Sequence, residues 1–203
     1  MDAEEHLIPA VAVRSIAAGL LMMAVFTLMW SGIAFEGLLH TNYWAVLLVF
    51  PVLAVLFVVS AIKLFGIANH YPKLKSEADI ALGKKTDMWF GIIFGAEALL
   101  IFIAVNVVIN IGHPDLIIPV IALVVGLHFY PLGVVFKRTI DYYLATWSSI
   151  IAILAIIFMF NKTLSEDNDF AFTGIGLAIA TSCYGIYMMI AARNIQKSPI
   201  AEV

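Results

Sequence analysis

The sequence has one cysteine, Cys183, in 203 residues, which excludes an intrachain disulfide and any CxxC redox or zinc motif. Charge is scarce too. Asp, Glu, Lys and Arg make up 12% of the chain, about half of the roughly 25% carried by soluble domains. The net charge is −3, and without a basic stripe there is no electrostatic footprint for a nucleic-acid partner. No Walker loop, GxSxG or HExxH occurs, and no two carboxylates stand at i, i+3 or i, i+4 inside an apolar run. His128 is the one histidine within such a run, which argues against haem held between two buried histidines. The apolar runs offer no tetrahedral ligand set, so neither a metal nor a cofactor is expected unless protomers combine.

What remains is hydrophobic: 63% of the residues are apolar and the mean hydropathy is +1.03. A bilayer core about 30 Å thick needs about 20 apolar residues at about 1.5 Å each. Six runs of that order occur, at 11–35, 44–66, 88–111, 116–136, 143–160 and 170–192. They lack the alternation of barrel strands, so the expected fold is all-α, a bundle of six transmembrane helices forming one domain over residues 1–203. Asp2, Glu4 and Glu5 precede the first run where a cleavable signal would be basic, so that run reads as a permanent span.

Threading six helices alternately puts Arg14, Lys63, Lys73, Lys75, Lys84, Lys85, Lys137, Arg138, Arg193 and Lys197 on one side and Lys162 on the other. By the positive-inside rule the first side, with both termini, is cytoplasmic, the expected location being the cell's inner membrane. Asn42, Asp87 and Asp115 read as N-terminal caps of the second, third and fourth helices. The longest connection, 67–87, reads either as a solvated basic linker or as a short surface helix capped at Ser76. The two halves show no inverted repeat of the kind many transporters carry.

Gly91 and Gly95 in the third run, and Gly174, Ala178, Thr181 and Gly185 in the sixth, form stripes that suit close helix packing, within one protomer or between copies in a homo-oligomer. Glu97 lies about ten residues into its span, or about 15 Å deep. A charge at that depth costs about 2.5–3.5 kcal/mol or more, so Glu97 must be protonated, paired or facing a polar cavity. It reads either as a proton or cation site or as a neutral acid bonded to a neighbouring helix. His128 is about nine residues from the other end of its own span, at nearly the same depth. Pro131 cannot donate to the carbonyl of Leu127 and leaves an acceptor beside it. The alternative for His128 is a bond to a backbone carbonyl across helices. Ser182, Cys183 and Tyr184 reach a similar level. Asp141 reads as a surface ion pair with Lys137, Arg138 or Arg14.

The segment Gly91-Ile92-Ile93-Phe94-Gly95-Ala96-Glu97, then Gly126-Leu127-His128-Phe129-Tyr130-Pro131-Leu132, then Lys137-Arg138 and Tyr142-Tyr143, resembles a group of bacterial six-helix integral membrane proteins with a GLHFxPL segment. The resemblance covers about a quarter of the chain and implies no assigned activity; Gly133 stands where alanine is commoner in that group.

Three functions fit these residues. The first is a small transporter or channel-like protein with a polar layer of Glu97, His128, Tyr184 and Ser182 that binds a proton, a cation or a small polar solute. The second is a membrane-embedded enzyme acting on lipid or isoprenoid, with His128 as base and a nucleophile among Ser182, Cys183 and Tyr184. The third is a binding subunit without turnover. A pocket opening to water favours the first or third, and one opening to lipid favours the second.

Overall fold

The computed structural model describes residues 8–72 and 77–197, all of whose regular elements are helical. Six long helices follow one another: α1 (Ala10–Leu38), α2 (Val49–Ile67), α3 (Glu77–Asn110), α4 (Ile117–Phe136), α5 (Thr139–Phe160) and α6 (Glu166–Lys197). Short 3-10 turns at Trp44–Leu48 and Ala68–His70 extend α2, and another at Pro114–Leu116 leads into α4. Each of the six is long and apolar enough to cross a bilayer, and the protein is a multi-pass integral membrane protein. Val25, Val52 and Phe102 are more than half exposed, which lipid tolerates because its tails are as apolar as the side chains.

Three boundary expectations change. Asp87 does not cap α3; it lies ten residues inside it. The stretch from Glu77 is neither linker nor separate surface helix, because α3 runs unbroken over 34 residues. Good helix formers such as Glu77, Leu82, Lys84 and Lys85 let the membrane helix propagate outward with little opposition. The Ser76 cap falls outside the described residues, as do Lys73, Lys75 and the first seven residues. Ahead of α2, the Tyr43 N–H bonds Thr41 Oγ1 at 3.2 Å rather than Asn42. Asp115 does stand in the first turn before α4, with no side-chain cap bond.

α1 packs most extensively on α6 and α2, and α4 on α5 and α3, while α5 against α6 joins the two groups. On the far side α1 and α3 hardly touch. The α1–α6 seam is tight because both faces are small. A Cβ on Gly174 would sit 2.5 Å from Ala34 N and one on Gly37 would collide with the Asp167 carbonyl, while toward α2 one on Gly185 would collide with the Phe57 ring. Thr27 donates to Thr181 across the seam at 3.0 Å. The sixth-run stripe therefore packs inside the chain. At Lys137 the backbone enters the left-handed region, φ 53°, which ends α4 and lets α5 start two residues later, turning Arg138 back toward the bundle.

Candidate functional site

Glu97 projects from the one narrow buried stripe of α3, shared with Ile93 and Val108, and meets His128 of α4. Glu97 Oε1 and His128 Nδ1 are 3.4 Å apart, and the two side chains are only 10% and 8% exposed. The contact is longer than the roughly 2.7–3.2 Å of a well-formed N–H···O bond. It is nonetheless the ion-pair partner each group has, and one proton suffices to make the pair neutral overall. Phe94 and Phe129 flank the imidazole, with ring centroids at 5.4 and 4.2 Å.

The outer face of the imidazole lines a cavity of about 220 Å³ in the gap between α1 and the α3–α4 pair, backed by α6. α1 contributes Ser15, Gly19, Met22 and Phe26; α3 contributes Asp87, Phe90 and Phe94; α6 contributes Tyr184 and Met188. Phe136 and Arg138 line the end from which the basic residues project, where Ser15 and Asp87 are exposed. Glu97 is not among the lining residues, so it stands behind His128 as seen from the cavity.

Of the four polar residues expected at one level, Glu97 and His128 pair, Tyr184 shares the cavity with His128, and Ser182 stands apart. Tyr184 lines the cavity, but its partner is Arg138, whose Nη1 donates to Tyr184 Oη at 2.9 Å. Ser182 is buried, its hydroxyl has no bond partner among the described residues, and it does not line the cavity. Rotation explains both results: depth along a helix can be counted from sequence, whereas successive residues about 100° apart point to different neighbours. Gly91 and Gly95 need correction for packing within the chain, since an added Cβ would meet nothing within 4 Å at either. They sit on the outward face of α3, opposite Glu97.

Asp141 is the residue sequence reasoning missed. Rather than a surface ion pair, it is fully buried beside Arg138 and Tyr184, and Arg14 instead bonds Asn69 at 2.7 Å. Its place three residues after Arg138, on a helix starting at the very end of a tight turn, was the available signal. The guanidinium also lies 4.3 Å above the Phe136 ring. Asp169, near the opposite end of α6, is likewise fully buried, beside the buried hydroxyl of Thr173. Among the described residues no three His, Cys, Asp or Glu side chains converge as metal ligands.

Comparison of the chain with protein-family models, with curated proteins and with solved structures gives no match, and the geometry of these residues carries the functional argument by itself.

Proposed function

We propose that the protein is a small membrane transporter whose Glu97–His128 pair takes up and releases a proton beside the cavity. The supporting observation is the 3.4 Å contact between two buried ionisable side chains, one of which faces an internal space. With one proton the pair is neutral, with two it carries +1 and with none −1, and such a pair titrates as a unit. At this depth little water screens the change, so each step alters the potential of the cavity wall far more than a surface group would. In this reading the basic end faces the cytoplasm of the cell's inner membrane, and the outward face of α3, with Gly91 and Gly95, is the contact for a second copy. The enzyme alternative needs a nucleophile within reach of His128; neither Ser182 nor Cys183 lines the cavity, and Tyr184, which does, has its hydroxyl oxygen bonded by Arg138.

The test needs no knowledge of the cargo. Infrared difference spectra of the protein in vesicles, taken between acid and alkaline pH, should show a carboxyl band that disappears in Glu97→Gln and shifts in His128→Gln. Buried Asp141 and Asp169 also absorb there, which is why the wild-type-minus-variant difference is the readout. A spectrum in which Glu97→Gln changes no pH-dependent carboxyl signal overturns the reading.

A further inference from the structure

We propose that the cavity binds a small organic cation, one ammonium group on an aromatic or branched-alkyl body, and exchanges it for the proton of the Glu97–His128 pair. The ligand class rests on the cavity; the exchange rests on the transport reading above.

Size comes first. A cavity of about 150 Å³ lined by apolar side chains holds benzene, and pockets for drug-sized ligands run to about 300–1,000 Å³. At about 220 Å³ the space suits one ring with a few further heavy atoms, and is too small for a two-chain lipid. Its walls carry the rings of Phe26, Phe90, Phe94, Phe129 and Tyr184, with Phe136 already under the Arg138 guanidinium. Ring faces present negative potential, and they attract an ammonium group more strongly where water is excluded.

Charge decides the sign. One acidic and one basic side chain line the space, exposed Asp87 and half-buried Arg138. Arg138 is already compensated by the Tyr184 oxygen, the Phe136 face and buried Asp141. Asp87 has no ion-pair partner among the described residues. An anion would meet Asp87 and the ring faces, whereas a cation is matched by both. Asp87 and Ser15 mark one end of the space and Phe26 the other, eleven residues along α1 or about 16 Å. The body of the ligand thus extends from Asp87 toward the imidazole. Ser15 and Asp87 are exposed, so the space reaches the protein surface at that end.

Exchange follows from what faces His128. Glu97 touches it directly; Asp87 on α3, Arg138 after α4, Tyr184 on α6 and Ser15 on α1 share its cavity, Asp87 standing about 15 Å along α3 from Glu97, and Asp141 of α5 acts through Arg138. Against this set of three carboxyl groups and one guanidinium, a second proton on the pair adds a positive charge to the wall and expels the cation; losing it restores the site. One positive charge leaves for each that enters.

The experiment is equilibrium binding of three soluble probes to the purified full chain in detergent: benzyltrimethylammonium, benzyl alcohol and benzenesulfonate. The cation should bind saturably and at least about ten-fold more tightly than the other two. Asp87→Asn should weaken it roughly three- to ten-fold, as for one partly solvated charge pair. Ala18→Leu, which fills the space from α1 without touching a charged group, should abolish binding while leaving the melting temperature nearly unchanged. Affinity should fall as the pH is lowered, and His128→Gln should flatten that dependence. Equal binding of all three probes, preference for the anion, or no saturable binding of the cation overturns the ligand class, whatever the infrared spectra show for the proton. Cation preference with an affinity indifferent to pH supports the ligand class and overturns the exchange.

Discussion

α3 and α6 are nearly equal in length, 34 and 32 residues, and each carries a stripe of small residues, yet they live in different surroundings. More than half of the α6 span is buried, 56%, against 17% for α3. α6 lies between α1, α2 and α5, so Gly174 and Gly185 meet backbone and ring directly. α3 touches chiefly α4, and its glycines look outward. A small-residue stripe therefore reports a capacity for close approach without naming the partner. Packing of α6 is dense, whereas the looser junction of α3 and α4 with α1 leaves room for the cavity and brings the Glu97–His128 pair to its edge. The tight seam holds the bundle together; the gap holds the cavity.

The strongest way to break this comparison is to place the same side chain on both helices. Gly174→Leu would drive a Cβ to 2.5 Å from Ala34 N, a backbone atom that cannot step aside. Forced separation of α1 and α6 should destabilise by about 3 kcal/mol or more, at the upper end for overpacking, and most of the protein should be lost from the folded fraction. Gly95→Leu meets open space and should stay within about 0.5 kcal/mol of the parent, as surface substitutions do. Thermal unfolding in detergent reads both, and size-exclusion of the same samples reads any effect of Gly95→Leu on assembly. Equal destabilisation by the two would remove the contrast.

An intermediate effect is expected at the edge of the cavity. His128→Ala leaves the Glu97 carboxyl buried without its partner and should cost about 1–3 kcal/mol. Glu97→Ala should cost a similar amount. Because the groups touch, the double variant should be less destabilised than the sum of the singles, with a coupling of about 0.5–3 kcal/mol. Additive losses would mean that the 3.4 Å contact contributes nothing to the fold.

How much of this could be read from residues alone follows from what sequence encodes. Helix number, helix type and the depth of Glu97 and His128 all follow from counting along apolar runs, because rise per residue is constant. The pairing of those two residues also follows in part, since each was the strongest partner at its level for the other. Rotation and neighbourhood do not follow. Tyr184 lies at a suitable depth yet turns to Arg138, and Asp141 looks like a surface residue until the two-residue turn at Lys137 and Arg138 folds it under the bundle. Gly91 and Gly95 read the same on paper as Gly174 and Gly185, because nothing local says which helix arrives opposite.

The smallest effect, and the sharpest probe of the outward face of α3, is expected at Asn106. An amide in a span carries two donors and an acceptor, so on a lipid-facing surface it should be a liability, or else a handle for another helix. Here Asn106 Nδ2 donates to the Phe102 carbonyl at 2.7 Å, and Asn110 Nδ2 likewise to the Asn106 carbonyl at 2.7 Å. Each amide thus folds back on the preceding turn. Replacing Asn106 by Leu removes a donor whose acceptor, the Phe102 carbonyl, keeps its own helical bond, so no buried group is left unpaired. The apolar side chain that replaces it suits lipid better. For an isolated chain the balance should lie within about 0.5 kcal/mol of zero, with the sign toward stabilisation. If α3 instead meets a second copy through this face, the same substitution removes an interhelical bond worth about 0.6 kcal/mol on average, and it does so only in the assembled form. Melting curves at two protein-to-detergent ratios separate the cases. A stabilising shift that is the same at both ratios keeps α3 at the lipid boundary, and a loss that grows as the protein is concentrated places a partner helix against it.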